Sequence, residues 1–281
     1  MERQRQISEW IGRLHPGRTF TLAPASADAS FRRYLRVAFD DGSTRIVMDA
    51  PPSHEDVRPW LHVQRLFHDA GAHVPEVFAT DLDQGFLLIS DLGSTTYLAK
   101  LDESNADDLY GAAIDALIRI QLASRPNELP AYDRALLKRE LDLFPDWYLA
   151  KHVELALSES QSSQLAKVFE NILQINLAEA PVHVHRDYHS RNLMVMANGP
   201  GIIDFQDAVH GPITYDLVSL FKDAYIEWPE ERTLDWLIRY WEKARKAGLP
   251  VRADFGEFYR DYEWMGVQRH IKVLGIFARL Y

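Results

Sequence analysis

His185, Arg186, Asp187, Tyr188, His189, Ser190, Arg191 and Asn192 stand consecutively, and twelve residues after Asn192 comes Asp204, within Ile203-Asp204-Phe205. In an H-R-D-x-x-x-x-N frame the aspartate can accept the proton of a substrate hydroxyl and the asparagine's amide oxygen can bind magnesium. Asp204 offers the second metal-binding oxygen. Mg2+ prefers hard oxygen ligands and keeps several waters, so one carboxylate, one amide oxygen and the phosphates of ATP suffice without a cage of side chains. This is the layout of a phosphoryl-transfer site, with Asp187 as catalytic base or hydroxyl-orienting group and Asn192 and Asp204 as metal ligands.

Such a loop has to be held between strands. Val182 and Val184 before it, Leu193-Met194-Val195 after it and Ile202-Ile203 ahead of Asp204 read as short apolar strands. Asn198-Gly199 and Gly201 make a tight connection between the last two. Further out, Ile7, Trp10, Ile11 and Leu14 recur at helical spacing over residues 5–14. Residues 31–39 and 45–48 form a hairpin around Asp40-Asp41-Gly42-Ser43, and residues 56–70 form a helix that Gly71 ends. Strands at 76–80 and 85–90 complete a small antiparallel sheet with one helix. Asp91-Leu92-Gly93 then interrupts the apolar run, and helical patterns follow at about 103–124, 134–152, 159–179, 230–248 and 254–280.

The chain of 281 residues is long enough for two lobes, and it contains no run of about 18 apolar residues and no apolar signal core. A soluble, cytoplasmic enzyme is expected, without a membrane partner and as a monomer. The absence of cysteine excludes disulfides, thiolate metal sites and cysteine nucleophiles. The formal net charge of −10 argues against nucleic acid as a partner, which needs clustered lysine and arginine. It leans mildly toward a cationic small molecule, but screening over about 8–10 Å makes local charge matter more than the total.

In these residues the chain resembles the aminoglycoside phosphotransferase and choline kinase superfamily, and within it the bacterial anomeric sugar kinases that act on N-acetylmuramate and N-acetylglucosamine. The narrower resemblance is carried by Ser30-Phe31-Arg32-Arg33-Tyr34, Ile46 to Pro52, Leu143-Phe144-Pro145-Asp146-Trp147-Tyr148 and Gln268 to Leu280, besides the catalytic segment. It implies an α+β, bilobal protein-kinase-like fold: an antiparallel-sheet N-lobe over 1–90, a hinge at 91–94 and a mainly helical C-lobe over 95–281. It also implies ATP-dependent phosphorylation of an anomeric hydroxyl in cell-wall recycling. Adenine would bond main-chain groups around Ile89, Ser90, Asp91 and Leu92. Asp216 would anchor the catalytic loop to the following helix, with His185 and Asp207 as further supports. The last helical pattern stops at Arg279-Leu280-Tyr281 without a cap, whereas members of this family are expected to continue.

Two departures from the superfamily stand out. The strand Ile46-Val47-Met48-Asp49-Ala50 lacks the lysine that contacts the α- and β-phosphates, and Ala25-Ser26-Ala27-Asp28-Ala29-Ser30 replaces a glycine-rich loop. Backbone N–H groups near Ser30 can still face phosphate, and Arg32 or Arg33 is the nearest cation. On a strand these two point to opposite faces, so only one can serve. The missing lysine leaves a non-catalytic nucleotide-binding pseudokinase as one alternative, and a phosphotransferase for aminoglycosides, choline or homoserine as another. A cationic acceptor would call for carboxylates such as Glu140, Asp142 and Asp146, whereas an amino-sugar acid would call for Arg191, Arg269 or His270. Trp147, Tyr148 and Trp264 are candidate platforms for a sugar ring, and His189, Arg191, Glu263 and Arg269 are further candidate substrate-binding residues.

Overall fold

A computed structural model describes residues 2–26 and 31–281. Its first layer is the helix α1 (Glu2–Leu14), whose Ile7, Trp10 and Ile11 are buried on one side. They cover a five-stranded antiparallel sheet of β1 (Phe20–Ser26), β2 (Arg33–Phe39), β3 (Thr44–Asp49), β4 (Val77–Asp81) and β5 (Phe86–Ser90), in the order β1-β2-β3-β5-β4. Strand alternation divides β2 between the two faces. Leu35, Val37 and Phe39 pack toward α1 with Val47, Phe86 and Leu88, while Ile46, Met48, Leu87 and Ile89 look the other way into the main core.

The sequence reading contains no strand at β1. Its residues Phe20-Thr21-Leu22-Ala23-Pro24-Ala25-Ser26 include a proline, which an edge strand tolerates because one side of its backbone needs no ladder partner. The hairpin strand also begins later than the pattern suggests, at Arg33, with Phe31 left exposed.

Helix α2 (Arg58–Asp69) covers the second face of the sheet through Trp60, Val63 and Phe67. The ring of Trp60 lies 5.1 Å and that of Phe67 6.0 Å from the ring of Phe205, directly after Asp204. One helix thus ties the sheet to the segment that carries the chemistry.

Beyond β5 the chain is mainly helical. A single turn, α3 (Tyr97–Lys100), precedes α4 (Ala106–Leu122), which is buried through most of its length. Then α5 (Arg134–Leu143) continues into a π-helical segment, Phe144–His152, where one unbroken α-helix is expected from the sequence. Pro145 explains the change, since it has no N–H to give to the carbonyl one α-turn back. Helix α6 (Glu159–Asn176) starts in a capping box between Ser158 and Gln161. After it come α7 (Tyr215–Phe221), α8 (Glu230–Ala247) and α9 (Phe255–Leu280). Two small antiparallel pairs frame the catalytic segment: β6 (Pro181–Val184) with β9 (Val209–Pro212), and β7 (Leu193–Met194) with β8 (Gly201–Ile202). The second is the hairpin expected around Asn198-Gly199. Among the described residues no helix is long and apolar enough to cross a membrane.

Helix α9 passes close to the α-to-π junction. A Cβ at Gly275 would lie 2.5 Å from the carbonyl carbon of Leu143. Gly275→Ala should therefore push the helices apart and destabilise the protein by about 1–3 kcal/mol, read as a lower urea midpoint. Behind β6, buried Glu179 accepts hydrogen bonds from the Thr214 N–H (3.1 Å) and hydroxyl (2.7 Å), and burial pushes its carboxyl up from 4.5 to about 8. The neutral acid is thus the form the fold favours, so its contribution is complete below pH 4.5 and is lost as the pH rises toward 8. Urea midpoints measured across that window should fall less steeply for Glu179→Gln than for the parent.

Candidate active site

The catalytic loop leaves β6 in a conformation that side chains seldom adopt. Arg186 has φ of 76° and Asp204 has φ of 61°, left-handed values that cost non-glycine residues about 1–2 kcal/mol each. The surroundings hold both. Asp216 on α7 accepts hydrogen bonds from the backbone N–H groups of His185 (2.7 Å) and Arg186 (3.0 Å). Complete burial pushes the Asp216 carboxyl up to about 7, even though those two donors favour its charged form.

His185 is buried, and burial holds its imidazole below the usual value, so it is neutral. Its Nδ1 accepts from the Asp187 N–H (3.2 Å), which leaves the proton on Nε2 to be donated to the carbonyl of Ile203 (3.0 Å). The imidazole is a strut between the two strained segments. Both of its nitrogens are occupied, which leaves no lone pair for proton transfer.

Asp187, Asn192 and Asp204 come together. The Asn192 side-chain N–H donates to the Asp187 carbonyl (3.0 Å) and, at 3.4 Å, to Asp204. Among the described residues, Asn192 Oδ1 receives no donor. Gln206 donates to Asp204 (2.9 Å) and to Asp207 (3.2 Å), and the carbonyl of Asp207 accepts from Arg186 (3.3 Å). Two hard oxygen donors side by side in an open cleft suit a magnesium ion that keeps its waters.

Beneath the loop is a buried charge network centred on Glu140. Its carboxylate meets Arg186 (2.6 Å), Lys272 (3.0 Å), Gln268 (3.3 Å) and the hydroxyl of Tyr132. Burial alone would raise this carboxyl, but Lys272 and Arg186 outweigh it and hold the pKa below the usual range. Lys272 also donates to the Tyr215 hydroxyl (2.8 Å). Arg269 donates to Ser219 (2.7 Å), and its guanidinium lies 3.8 Å from the Asp187 carboxylate. For Asp187, too, the raising effect of burial is overcome, here by Lys272 and then Arg269. Because its carboxylate opens on the cleft with 43% exposure, the charges decide the sign.

The other sequence candidates are scattered around this centre. Arg32 reaches across to Asp204 at 3.9 Å, whereas Arg33 is 57% exposed on the opposite face of β2 and pairs with Asp49, as does Arg3. Ser30 lies outside the described residues. Ile89 is buried, Ser90 accepts from the Glu76 N–H (2.9 Å), and Asp91 pairs with Arg36 (2.6 Å) and with the Gly93 N–H (3.0 Å). Leu92 packs over Gly201. Glu140 is enclosed under the loop, Asp142 pairs with Lys138, and Asp146 is exposed, so these three carboxylates do not converge. Trp147 sits partly buried on the π-helical segment beside Tyr148, which stacks on Phe144, and Trp264 packs against the main core.

A cavity of about 980 Å3 lies between α7, α8 and α9, and none of its described lining residues belongs to the catalytic loop. It meets the loop through Asp223, which accepts from the N–H (2.9 Å) and hydroxyl (2.5 Å) of Ser190, and through Tyr225, which touches His189 and lies under Arg191. Glu263 and His270 line it, and Lys222 pairs with Glu263 at 2.7 Å. Sequence reasoning missed Lys222, Asp223, Tyr225 and Lys272. For Lys272 a signal was present: Gln268, Arg269 and Lys272 share one face of a helix. The others depend on a turn after α7 that carries no motif.

The comparisons with known proteins bear on the family and the fold. The model of the phosphotransferase enzyme family matches residues 21–255. The N-acetylmuramate/N-acetylglucosamine kinase of Neisseria meningitidis serogroup B is 50% identical over 285 residues, covering 100% of this chain and 85% of that protein. The enzyme of the same name from Pseudomonas aeruginosa is 50% identical over 274 residues, covering 98% and 80%. The ADP-bound aminoglycoside phosphotransferase APH(2'')-Ib superposes with a TM-score of 0.62 over 95% of this chain and 98% of its own, and at 17% identity it shows the protein-kinase-like fold. Since the family model spans most of the chain and half of its residues recur in two sugar kinases, the protein belongs to the phosphotransferase enzyme family.

Proposed function

We propose that this phosphotransferase transfers the γ-phosphoryl group of ATP to the anomeric hydroxyl of an N-acetylated amino sugar, N-acetylmuramate or N-acetylglucosamine, in the cytoplasmic reuse of cell-wall sugars. The observation that carries the acceptor is the 50% identity, across the length of this chain, to kinases named for those two sugars. In this reading residues 91–94 are the hinge between the lobes, and the cavity beside Ser190 holds the sugar.

Asp187 accepts a hydrogen bond from the anomeric hydroxyl and aims its oxygen at the phosphorus. A carboxylate whose basicity Lys272 and Arg269 depress is a weak proton acceptor, so orientation comes first and the proton follows late, as a loose transition state permits. Asn192 and Asp204 are the residues that would hold Mg2+, whose contribution is to neutralise charge on the phosphate oxygens. Arg32, on the cleft side, takes the part of the absent lysine, while Arg33 stays with Asp49 and Arg3. Glu140, His185, Asp207 and Asp216 act on the loop and not on the sugar. His189, Arg191, Glu263 and Arg269 remain acceptor-side residues; Trp147 is partly buried on the π-helical segment and Trp264 packs against the main core.

An aminoglycoside or choline acceptor is disfavoured by that identity to kinases named for amino sugars, although Asp223, Glu227, Glu230 and Glu263 give the cavity an acidic lining; Glu140, Asp142 and Asp146 do not join them. A pseudokinase would have no chemical need to keep Asp187, Asn192 and Asp204 together.

Phosphorus NMR of a mixture of protein, ATP, magnesium and N-acetylmuramate should reveal a sugar-1-phosphate, and its absence for both sugars would overturn the reading. Asp187→Asn should lower kcat by roughly a thousandfold or more while nucleotide binding persists. Arg32→Ala should raise the KM for ATP by about tenfold or more, with Arg33→Ala changing it little, because only one of the two faces the cleft.

A further inference from the structure

The acceptor cavity presents an electrostatic difficulty. Asp223, Glu227, Glu230 and Glu263 line it, and Lys222 is the only lysine or arginine among its described lining residues. His270 does not help at neutral pH, since desolvation of its ring, with Lys222 and Arg269 nearby, keeps its imidazole below the usual value. An acceptor that brings its own carboxylate needs a cation here, whereas a neutral acceptor needs none.

Lys222 is built in as that cation. It follows α7 directly, with its N–H bonded to the carbonyl of Val218 at 2.9 Å, and the next residue, Asp223, holds Ser190 of the catalytic loop. Its ammonium pairs with Glu263 (2.7 Å) and lies 5.0 Å from the centre of the Tyr262 ring. The stem runs over Gly266, where a Cβ would lie 3.3 Å from Nζ and 3.4 Å from Cδ, so that glycine leaves the channel in which the lysine rests. The pair is only partly covered, with Lys222 27% and Glu263 41% exposed.

Resting on the amino-sugar reading above, we propose that Lys222 receives the carboxylate of an acidic amino sugar by exchange, releasing Glu263 to solvent, and keeps Glu263 when the acceptor is neutral. The exchange replaces one carboxylate by another, so the lysine never loses its counter-charge. A partly exposed ion pair contributes little to stability, so opening it costs little. In N-acetylmuramate the lactyl carboxylate hangs from C3, close on the ring to the reacting C1. A cation one residue from the aspartate that holds the catalytic loop is therefore suitably sited. The same cavity can serve an acid and a neutral sugar without rebuilding.

The test is steady-state kinetics with N-acetylmuramate and N-acetylglucosamine on the parent and on Lys222→Met, Lys222→Arg and Glu263→Gln. Lys222→Met should raise the KM for N-acetylmuramate about tenfold or more, with kcat and the KM for N-acetylglucosamine within about twofold, and Lys222→Arg should recover most of the loss. Glu263→Gln, by removing the competitor, should lower the KM for N-acetylmuramate severalfold, a sign that damage to the fold cannot produce. Equal changes for the two sugars in Lys222→Met, or a KM for N-acetylmuramate unmoved in both Lys222→Met and Glu263→Gln, would overturn the exchange while leaving the amino-sugar reading intact. A parent protein that binds ATP and phosphorylates neither sugar would remove that reading, and the exchange with it.

Discussion

Everything at the reacting centre depends on a backbone held where it would not go unaided. Arg186 and Asp204 both occupy left-handed conformations without being glycine, and left-handed backbone in side-chain-bearing residues persists only where the surroundings over-determine it. Three buried groups do so here. Asp216 takes the N–H groups of two successive loop residues, His185 bridges the Asp187 N–H to the Ile203 carbonyl, and Glu140 holds the Arg186 side chain from below. Removing any one leaves a buried polar group without its partner, a larger penalty than the strain itself.

The same network sets the electrostatics. Lys272 and Arg269 come from α9, far along the chain from Asp187, yet they keep its carboxylate ionised at the mouth of the cleft. Glu140 balances Lys272 and Arg186, so the cations are not buried without compensation. The charge beside Asp187 and the charge that stabilises the lobe are parts of one arrangement. The position of α9 therefore matters twice, and Gly275 is one of the contacts that fix it.

Coupling to the small sheet is apolar. Trp60 and Phe67 on α2 press against Phe205, so Asp204 is braced from the sheet side by rings. The cation beside Asp204 does not come from β3. Arg32 immediately precedes β2 and faces the cleft, while the matching strand β3 ends in Asp49, neutralised by Arg3 and Arg33.

Sequence alone determined the candidate chemistry: an aspartate, an asparagine and a second aspartate at spacings that local strands and a tight turn convert into a loop and a hairpin. It also determined most of the long elements, because periodicity is a local property of the chain. Where the local signal was weak or split, tertiary structure decided. The strand containing Pro24 exists because β2 offers an edge, and the helix expected over 134–152 changes pitch at Pro145 while α9 packs beside it. Residue types could offer Arg32 and Arg33 as equals; only the direction of the strand separated them. Glu140 read as an acceptor-side carboxylate until burial enclosed it with Arg186 and Lys272. Lys222 and Asp223 carried no motif at all. Their importance arises from long-range packing that sets the end of α7 against the catalytic loop on one side and α9 on the other, and that juxtaposition is not written in any one stretch of the sequence.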